Sequence, residues 1–347
     1  METWEKSLEK CVTSPEELSG LFRLQGATLS AVVSRYPMRI TPYYLGLIRE
    51  PGDPIWRQCV PDAAELEDLS QSPDPLDEER LSPVPGLIHR YPDRVVWIVS
   101  SACAVYCRFC MRKRGVGCPS MQPAPLDHAI AYIGSRPEIR DVILSGGDPL
   151  LLSDERLDAV LTALRRIPHV EMVRIGTRVP VTLPERITPR LARMLKRHHP
   201  LYVNTHFNHP REITPQSAQA LALLADAGIP LGNQTVLLKG VNDDPLVMRS
   251  LMQRLLAHRV RPYYIHQMDL VRGTAHFRTR VAQGVAVMEA LRGHTSGMAV
   301  PHYVIDLPGG KGKVEVCSGR LQEDGKRLLL RNYLGEEIEY LEAELLA

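Results

Sequence analysis

The chain has 347 residues, 44% of them hydrophobic and 24% charged, with a net charge of +2. That length supports one large core or two smaller ones; the near-neutral charge argues against an obligate nucleic-acid partner, and no apolar run approaches the length of a membrane span. Met1 to Lys6 lack the basic-then-apolar layout of a signal peptide, so the expected compartment is the cytoplasm, where the seven cysteines read as free thiols or metal ligands rather than disulfides.

Residues 1–40 mix apolar and charged positions in a helical pattern, and residues 50–92, rich in Pro, Asp and Glu, predict an irregular wrap with short helices. From Val95 short β-branched runs alternate with longer amphipathic stretches. Strands are predicted at 95–100, 142–145, 172–176, 201–205, 231–237 and 263–267, and helices at 126–135, 153–166, 188–198, 215–227 and 245–259. Alternation of this kind implies parallel strands joined by right-handed crossovers. These units are too few for a closed eight-stranded barrel, so the expected fold class is α/β, a partial (β/α)6 parallel barrel. A glycine-rich stretch at 293–313 and a closing hairpin at 327–340, turning at Gly335, follow. The expected division is an N-terminal wrap at 1–92, the barrel at 93–292, and the glycine-rich segment with its hairpin at 293–347.

Chemistry in α/β barrels collects at the C-terminal ends of the strands. The predicted strands end, in order, in a cysteine loop, in Ser145-Gly146-Gly147-Asp148, in Thr177-Arg178, in His206, Asn208 and His209, around Asn233 and Gln234, and in His266, Gln267 and Asp269. Together they predict one mouth lined with polar groups.

The cysteine loop carries Cys103, Cys107 and Cys110 at C-x3-C-x2-C spacing. Three such thiolates can hold three irons of a four-iron cluster and leave the fourth iron without a protein ligand, where four cysteines would close it. The alternative is a zinc knuckle completed by Cys118, although zinc sites usually present two separated pairs. The spacing resembles that of the radical S-adenosylmethionine (SAM) enzymes, which are known for a partial barrel. Gly-Gly-Asp alone is a common turn. After the second strand of this layout it is similar to the glycine-rich motif that contacts the methionyl amino group of SAM in that superfamily.

Asp306-Leu307-Pro308-Gly309-Gly310-Lys311-Gly312-Lys313 is the second strong feature. A lysine at the end of a flexible glycine segment can reach into a site and form an imine; by itself the segment reads as a solvated turn. Resemblance decides between the two. The stretches 39–44, 77–94, 144–148, 204–210 (Asn204-Thr205-His206-Phe207-Asn208-His209-Pro210), 232–234, 261–264 and 293–297 resemble the lysine 2,3-aminomutase family, radical SAM enzymes that also use pyridoxal phosphate (PLP).

That resemblance implies a set of roles. Cys103, Cys107 and Cys110 hold a 4Fe-4S cluster, and Ser145, Gly146, Gly147, Asp148, His206 and Gln234 line the SAM site. Lys313 takes the PLP-binding position, with Tyr91, Arg90 and Arg94 around the PLP ring and phosphate. Arg112 pairs with the substrate carboxylate, to which a guanidinium forks well. Asp269 and Asp306 hold the distal ammonium of lysine, and a substrate with a second carboxylate would there meet like charges. The implied reaction moves the amino group of L-lysine from carbon 2 to carbon 3, giving β-lysine; arginine is the alternative substrate. An electron donor such as flavodoxin or ferredoxin is implied, and a homo-oligomer is compatible with the pattern.

Two departures stand out. Lys311 interrupts the glycine run, so either lysine could in principle be the reactive one, and register favours Lys313. The chain also ends where well-known members continue into a zinc-binding extension, and Asp244 stands where a further zinc cysteine is expected, so no zinc is expected. Short relatives that supply β-lysine for modifying translation elongation factor P share that feature. From other classes, a non-catalytic zinc-binding module and a radical SAM enzyme that consumes SAM without PLP are the competing readings.

Overall fold

The computed structural model describes residues 3–22, 26–68, 70–118, 121–317, 321–324, 327–332 and 334–340. Nine strands form one sheet with neighbours in chain order: β1 (Leu87–Tyr91), β2 (Arg94–Ser100), β3 (Asp141–Gly146), β4 (Met172–Gly176), β5 (Leu201–Thr205), β6 (Leu231–Leu237), β7 (Val260–Gln267), β8 (His302–Asp306) and β9 (Lys313–Glu315). Strands β2 to β8 run parallel. At the two edges, β1 and β9 pair antiparallel. All six expected strands are present. The sheet is larger than the six-unit expectation by β1, β8 and β9, whose mixed polar sequences carry no strong period-2 signal.

Helices fill the crossovers at Leu126–Gly134, Asp154–Arg165, Pro189–Lys196, Pro215–Asp226 and Pro245–Ala257, as expected, and Val281–Leu291 adds one more. Their starts are written in the sequence. Thr188, Thr214 and Asp244 cap their helices by accepting from Leu191 N, Ser217 N and Leu246 N, and each is followed by proline at the first helical position. Leu157, Leu161 and Leu164, at helical spacing, are wholly buried against the sheet.

The parallel strands alternate in burial rather than burying both faces. In β6, Leu231, Asn233, Thr235 and Leu237 are buried, while Gln234 and Val236 turn to the other face. One face therefore packs under the helices in a core that includes Trp97, Leu144, Ile175 and Val203. The other faces a cavity. At the C-terminus β10 (Leu321–Asp324), β11 (Arg327–Arg331) and β12 (Glu337–Tyr340) form a separate antiparallel sheet; the expected hairpin is β11–β12, with Gly335 at φ 85° in the turn. Among the described residues no helix is long and apolar enough to cross a membrane.

Candidate active site

Residues from all nine strands line one cavity of about 1020 Å³, so the sheet curls around it. The cavity runs from the cysteine loop past the strand ends to Arg94, Met172 and His302, the first residues of β2, β4 and β8. Of the polar strand ends, Thr177, Arg178, His206, Gln234, His266 and Asp269 line it. Asn208 and Asn233 instead brace the chain: Asn208 Oδ1 accepts from Val236 N at 3.0 Å, and Asn233 Oδ1 accepts from Phe207 N at 2.7 Å.

Cys103, Cys107 and Cys110 all face the cavity, and Cys118 lies outside its lining. Burial first, then Asp148 and the neighbouring thiols, push the Cys103 thiol well up; burial and Cys107 push Cys110 up to about 11. Such thiols stay neutral until a metal displaces the proton. Among the described residues, no three His, Cys, Asp or Glu side chains gather about a single ion. The three thiols line the same cavity, and their C-x3-C-x2-C spacing suits a cluster.

The N-terminal wrap holds this loop. Tyr106 N donates to Arg39 O and Arg108 N to Gln58 O, each at 2.9 Å. Glu65, fully buried, takes Arg108 Nε at 2.9 Å and Lys113 Nζ at 2.6 Å. Lys113 Nζ also donates to Arg108 O and Gly273 O, at 2.9 and 3.1 Å.

Gly146 and Gly147 are required by contact. A Cβ on Gly146, at φ +136°, would lie 2.1 Å from Ser100 O, and one on Gly147 would lie 2.3 Å from Ala102 O. Gly147 N and Asp148 N donate to those same carbonyls at 2.6 and 2.7 Å. Asp148 Oδ1 accepts from Leu150 N at 3.0 Å and from Thr177 Oγ1 at 2.7 Å, and Oδ2 accepts from Arg178 N at 2.7 Å. The motif thus ties the ends of β3 and β4 to the cysteine loop, and the Gly146 carbonyl accepts from Arg112 Nη1 at 3.3 Å. His206, beside it, is held neutral by burial first and then by the Arg178 charge.

The glycine run corrects an expectation. It is a tight turn, not a flexible arm. Leu307 N donates to Gly312 O at 2.8 Å, Gly309 N donates to Pro75 O at 2.7 Å, and Gly309, Gly310 and Gly312 all have positive φ (73°, 70°, 97°). The turn sets Lys313 opposite Asp306 in the β8–β9 register. Lys313 lines the cavity, and Lys311 is exposed.

Lys313 Nζ donates to Asp306 Oδ2 at 2.6 Å and lies 3.3 Å from His266 Nδ1. His266 Nδ1 lies 3.1 Å from the same Asp306 oxygen, and Arg90 Nη1 is 3.5 Å from Asp306 Oδ1. Burial alone would raise the Asp306 carboxyl, but the His266 hydrogen bond and the Lys313 charge hold it well below the usual range. Asp269 goes the other way: burial first, then the Asp306 charge, raise it to about 7. Tyr91 stacks under Arg94, whose guanidinium carbon is 3.9 Å from the ring centroid. Two buried polar atoms here, Arg90 Nε and His266 Nε2, lack a hydrogen-bond partner. A cofactor with a phosphate and ring heteroatoms fits beside an amine, an aromatic face and such atoms.

Arg112 also lines the cavity. Its Nε and Nη2 fork onto Glu78 at 2.9 and 2.8 Å, and its Nη1 donates to Ser145 Oγ at 3.0 Å. Sequence reasoning gave no role to Glu65 and Glu78, because each sits in the irregular wrap and meets its partners across more than thirty residues. His266 and Arg178 were visible only as polar strand ends.

Comparison with known proteins agrees with this geometry. The Radical SAM superfamily model matches residues 97–249, and the Lysine-2,3-aminomutase model matches residues 288–346. The L-lysine 2,3-aminomutase of Clostridium subterminale is 49% identical over 98% of this chain and 84% of its own length. That of Acetoanaerobium sticklandii is 50% identical, over 96% and 80% respectively. A glutamate 2,3-aminomutase of Clostridioides difficile is 44% identical, over 95% and 80%.

Proposed function

The chain belongs to the lysine 2,3-aminomutase family of radical SAM enzymes, and on that footing we propose that it converts L-lysine to β-lysine, as an isomerase using a 4Fe-4S cluster, SAM and PLP. The observation that carries the substrate assignment is the acid pair. Asp306 already holds a lysine ammonium, that of Lys313, at 2.6 Å, and Asp269 borders the same cavity with a carboxyl that burial first, and then the Asp306 charge, push up. A glutamate tail would face both acids, and like charges across a desolvated contact cost several kcal/mol.

Cys103, Cys107 and Cys110 would hold the cluster, leaving one iron for SAM. Ser145, the Gly146 and Gly147 carbonyls, His206 and Gln234 would border SAM, with Asp148 fixing the turn that carries them. Lys313 would hold PLP through Nζ, with Tyr91, Arg90 and Arg94 around its ring and phosphate. When bound, the cluster and SAM would supply the one-electron chemistry for removing hydrogen from the substrate, and PLP would supply a conjugated π-system for the migrating nitrogen.

The chain's own residues position and protect. Arg112 offers its guanidinium to the substrate carboxylate in competition with Glu78. Asp306 and Asp269 take the distal ammonium, so the substrate is held at both ends with its reacting carbons fixed between them. Asp306 is an acceptor, so neutral His266 donates from Nδ1, and its Nε2 is then free to accept from a donor in the cavity. Val96, Ile143, Val236 and Val304 supply apolar wall, which limits water around a reactive radical. A low-potential one-electron donor such as flavodoxin or ferredoxin would reduce the cluster.

Anaerobic incubation of the reconstituted, reduced protein with SAM, PLP and L-lysine tests the assignment. β-Lysine is the expected product; unchanged lysine would refute it.

A further inference from the structure

Arg178 follows β4 and is 8% exposed. Its guanidinium is fixed on every side. Nη2 donates to Gln58 Oε1 at 2.6 Å, to Glu212 Oε1 at 2.8 Å and to Tyr44 Oη at 3.0 Å, and Nε donates to His206 O at 3.2 Å. Glu212 is anchored in turn, its Oε2 accepting from Asn208 N at 2.6 Å and His209 N at 2.9 Å. These contacts aim Nη1 at Cys107 Sγ, 2.8 Å away. A guanidinium locked by two elements of the wrap and two of the barrel, with one edge on a cysteine sulfur, is a built donor to that sulfur.

We propose that Arg178 sets the reduction potential of the iron–sulfur cluster by donating a hydrogen bond from Nη1 to the sulfur of Cys107. The proposal rests on Cys107 being a cluster ligand, as assigned above. One electron from a low-potential donor enters the cluster and adds one negative charge. Hydrogen bonds and positive charge at the ligand sulfurs stabilise that reduced form and raise the potential. Glu212 offsets part of the charge but leaves the directed N–H in place. Arg178 is therefore a positioning and tuning residue, distinct from the ligands.

The test is a potentiometric titration of the reconstituted cluster, followed by electron paramagnetic resonance, in the wild type, Arg178→Lys and Arg178→Gln. Equal iron loading is expected, with the midpoint moved to more negative potential in Arg178→Gln and less so in Arg178→Lys. At a fixed poise the ratio of reduced to oxidised cluster should fall about tenfold in Arg178→Gln, the factor that one charge-assisted hydrogen bond carries. Unchanged midpoints at full loading would overturn the proposal while leaving the cluster assignment standing; wild-type protein that takes up no iron would overturn the assignment itself. Should neither variant hold iron, the wild type labelled with 15N-arginine decides: a 15N coupling to the reduced cluster that survives Arg112→Lys supports the contact, and its absence refutes it.

Discussion

Asp306 Oδ2 accepts a hydrogen bond from Lys313 Nζ at 2.6 Å, and the two residues are register partners across β8 and β9. The turn between them spans only Leu307 to Gly312, so the pairing is set by the backbone and not by side-chain reach. It gives Asp306 successive duties. It holds the Lys313 ammonium in the ligand-free protein, and under the proposed assignment PLP bound at Nζ would free it for the substrate's distal ammonium.

Lys313→Ala should abolish PLP retention. After dialysis the variant should lack the visible absorbance of protein-bound PLP, and Lys311→Ala should keep it. The reverse pattern would transfer the role to Lys311.

The Asp269 carboxyl, raised to about 7, makes stability depend on pH. Its folded pKa lies above the unfolded value of about 3.9, so its stabilising contribution is complete below about pH 4 and is lost as pH rises through about 7. Asp269→Asn removes that loss. The melting temperature of the variant relative to wild type should rise between about pH 5 and about pH 8. Parallel profiles would show that Asp269 is not buried beside Asp306 in solution.

Glu65 neutralises two cations of the cysteine loop, with both Arg108 and Lys113 nearly inaccessible. Glu65→Ala strands two buried charges and should cost about 3–5 kcal/mol in urea denaturation. Iron retention after gel filtration should fall with it.

Gly147→Ala would drive a methyl group to 2.3 Å from Ala102 O, a backbone atom that cannot step aside alone. The cysteine loop must shift, and the variant should bind less iron while keeping its far-UV circular dichroism. Full iron loading would show that the loop yields freely.

Strands β2 to β7 could be read from sequence because their β-branched runs alternate with amphipathic helical stretches. Strands β1 and β9 pair on one side only, and the mixed runs Leu87–Tyr91 and Lys313–Glu315 gave no period to detect. The glycine run misled in a different way. Glycines signal unusual backbone but not whether it is loose or tight, and here Gly310 is pressed so close to Leu76 O that a Cβ would lie 2.8 Å from it. The cysteines, Lys313 and the two aspartates were legible through resemblance. Glu65, Glu78 and the aim of Arg178 depend on long-range pairing that no local pattern records.

Asp269 and Asp306, if they hold the substrate as proposed, select a cationic tail. A competition in one anaerobic vessel, with equal L-lysine, L-arginine and L-glutamate and products quantified by mass spectrometry, tests that selection most directly. β-Lysine should be the dominant product with no β-glutamate, and lysine turnover should fall about 100-fold or more in Asp306→Asn. β-Glutamate from the wild type, or undiminished β-lysine from the variant, would contradict it.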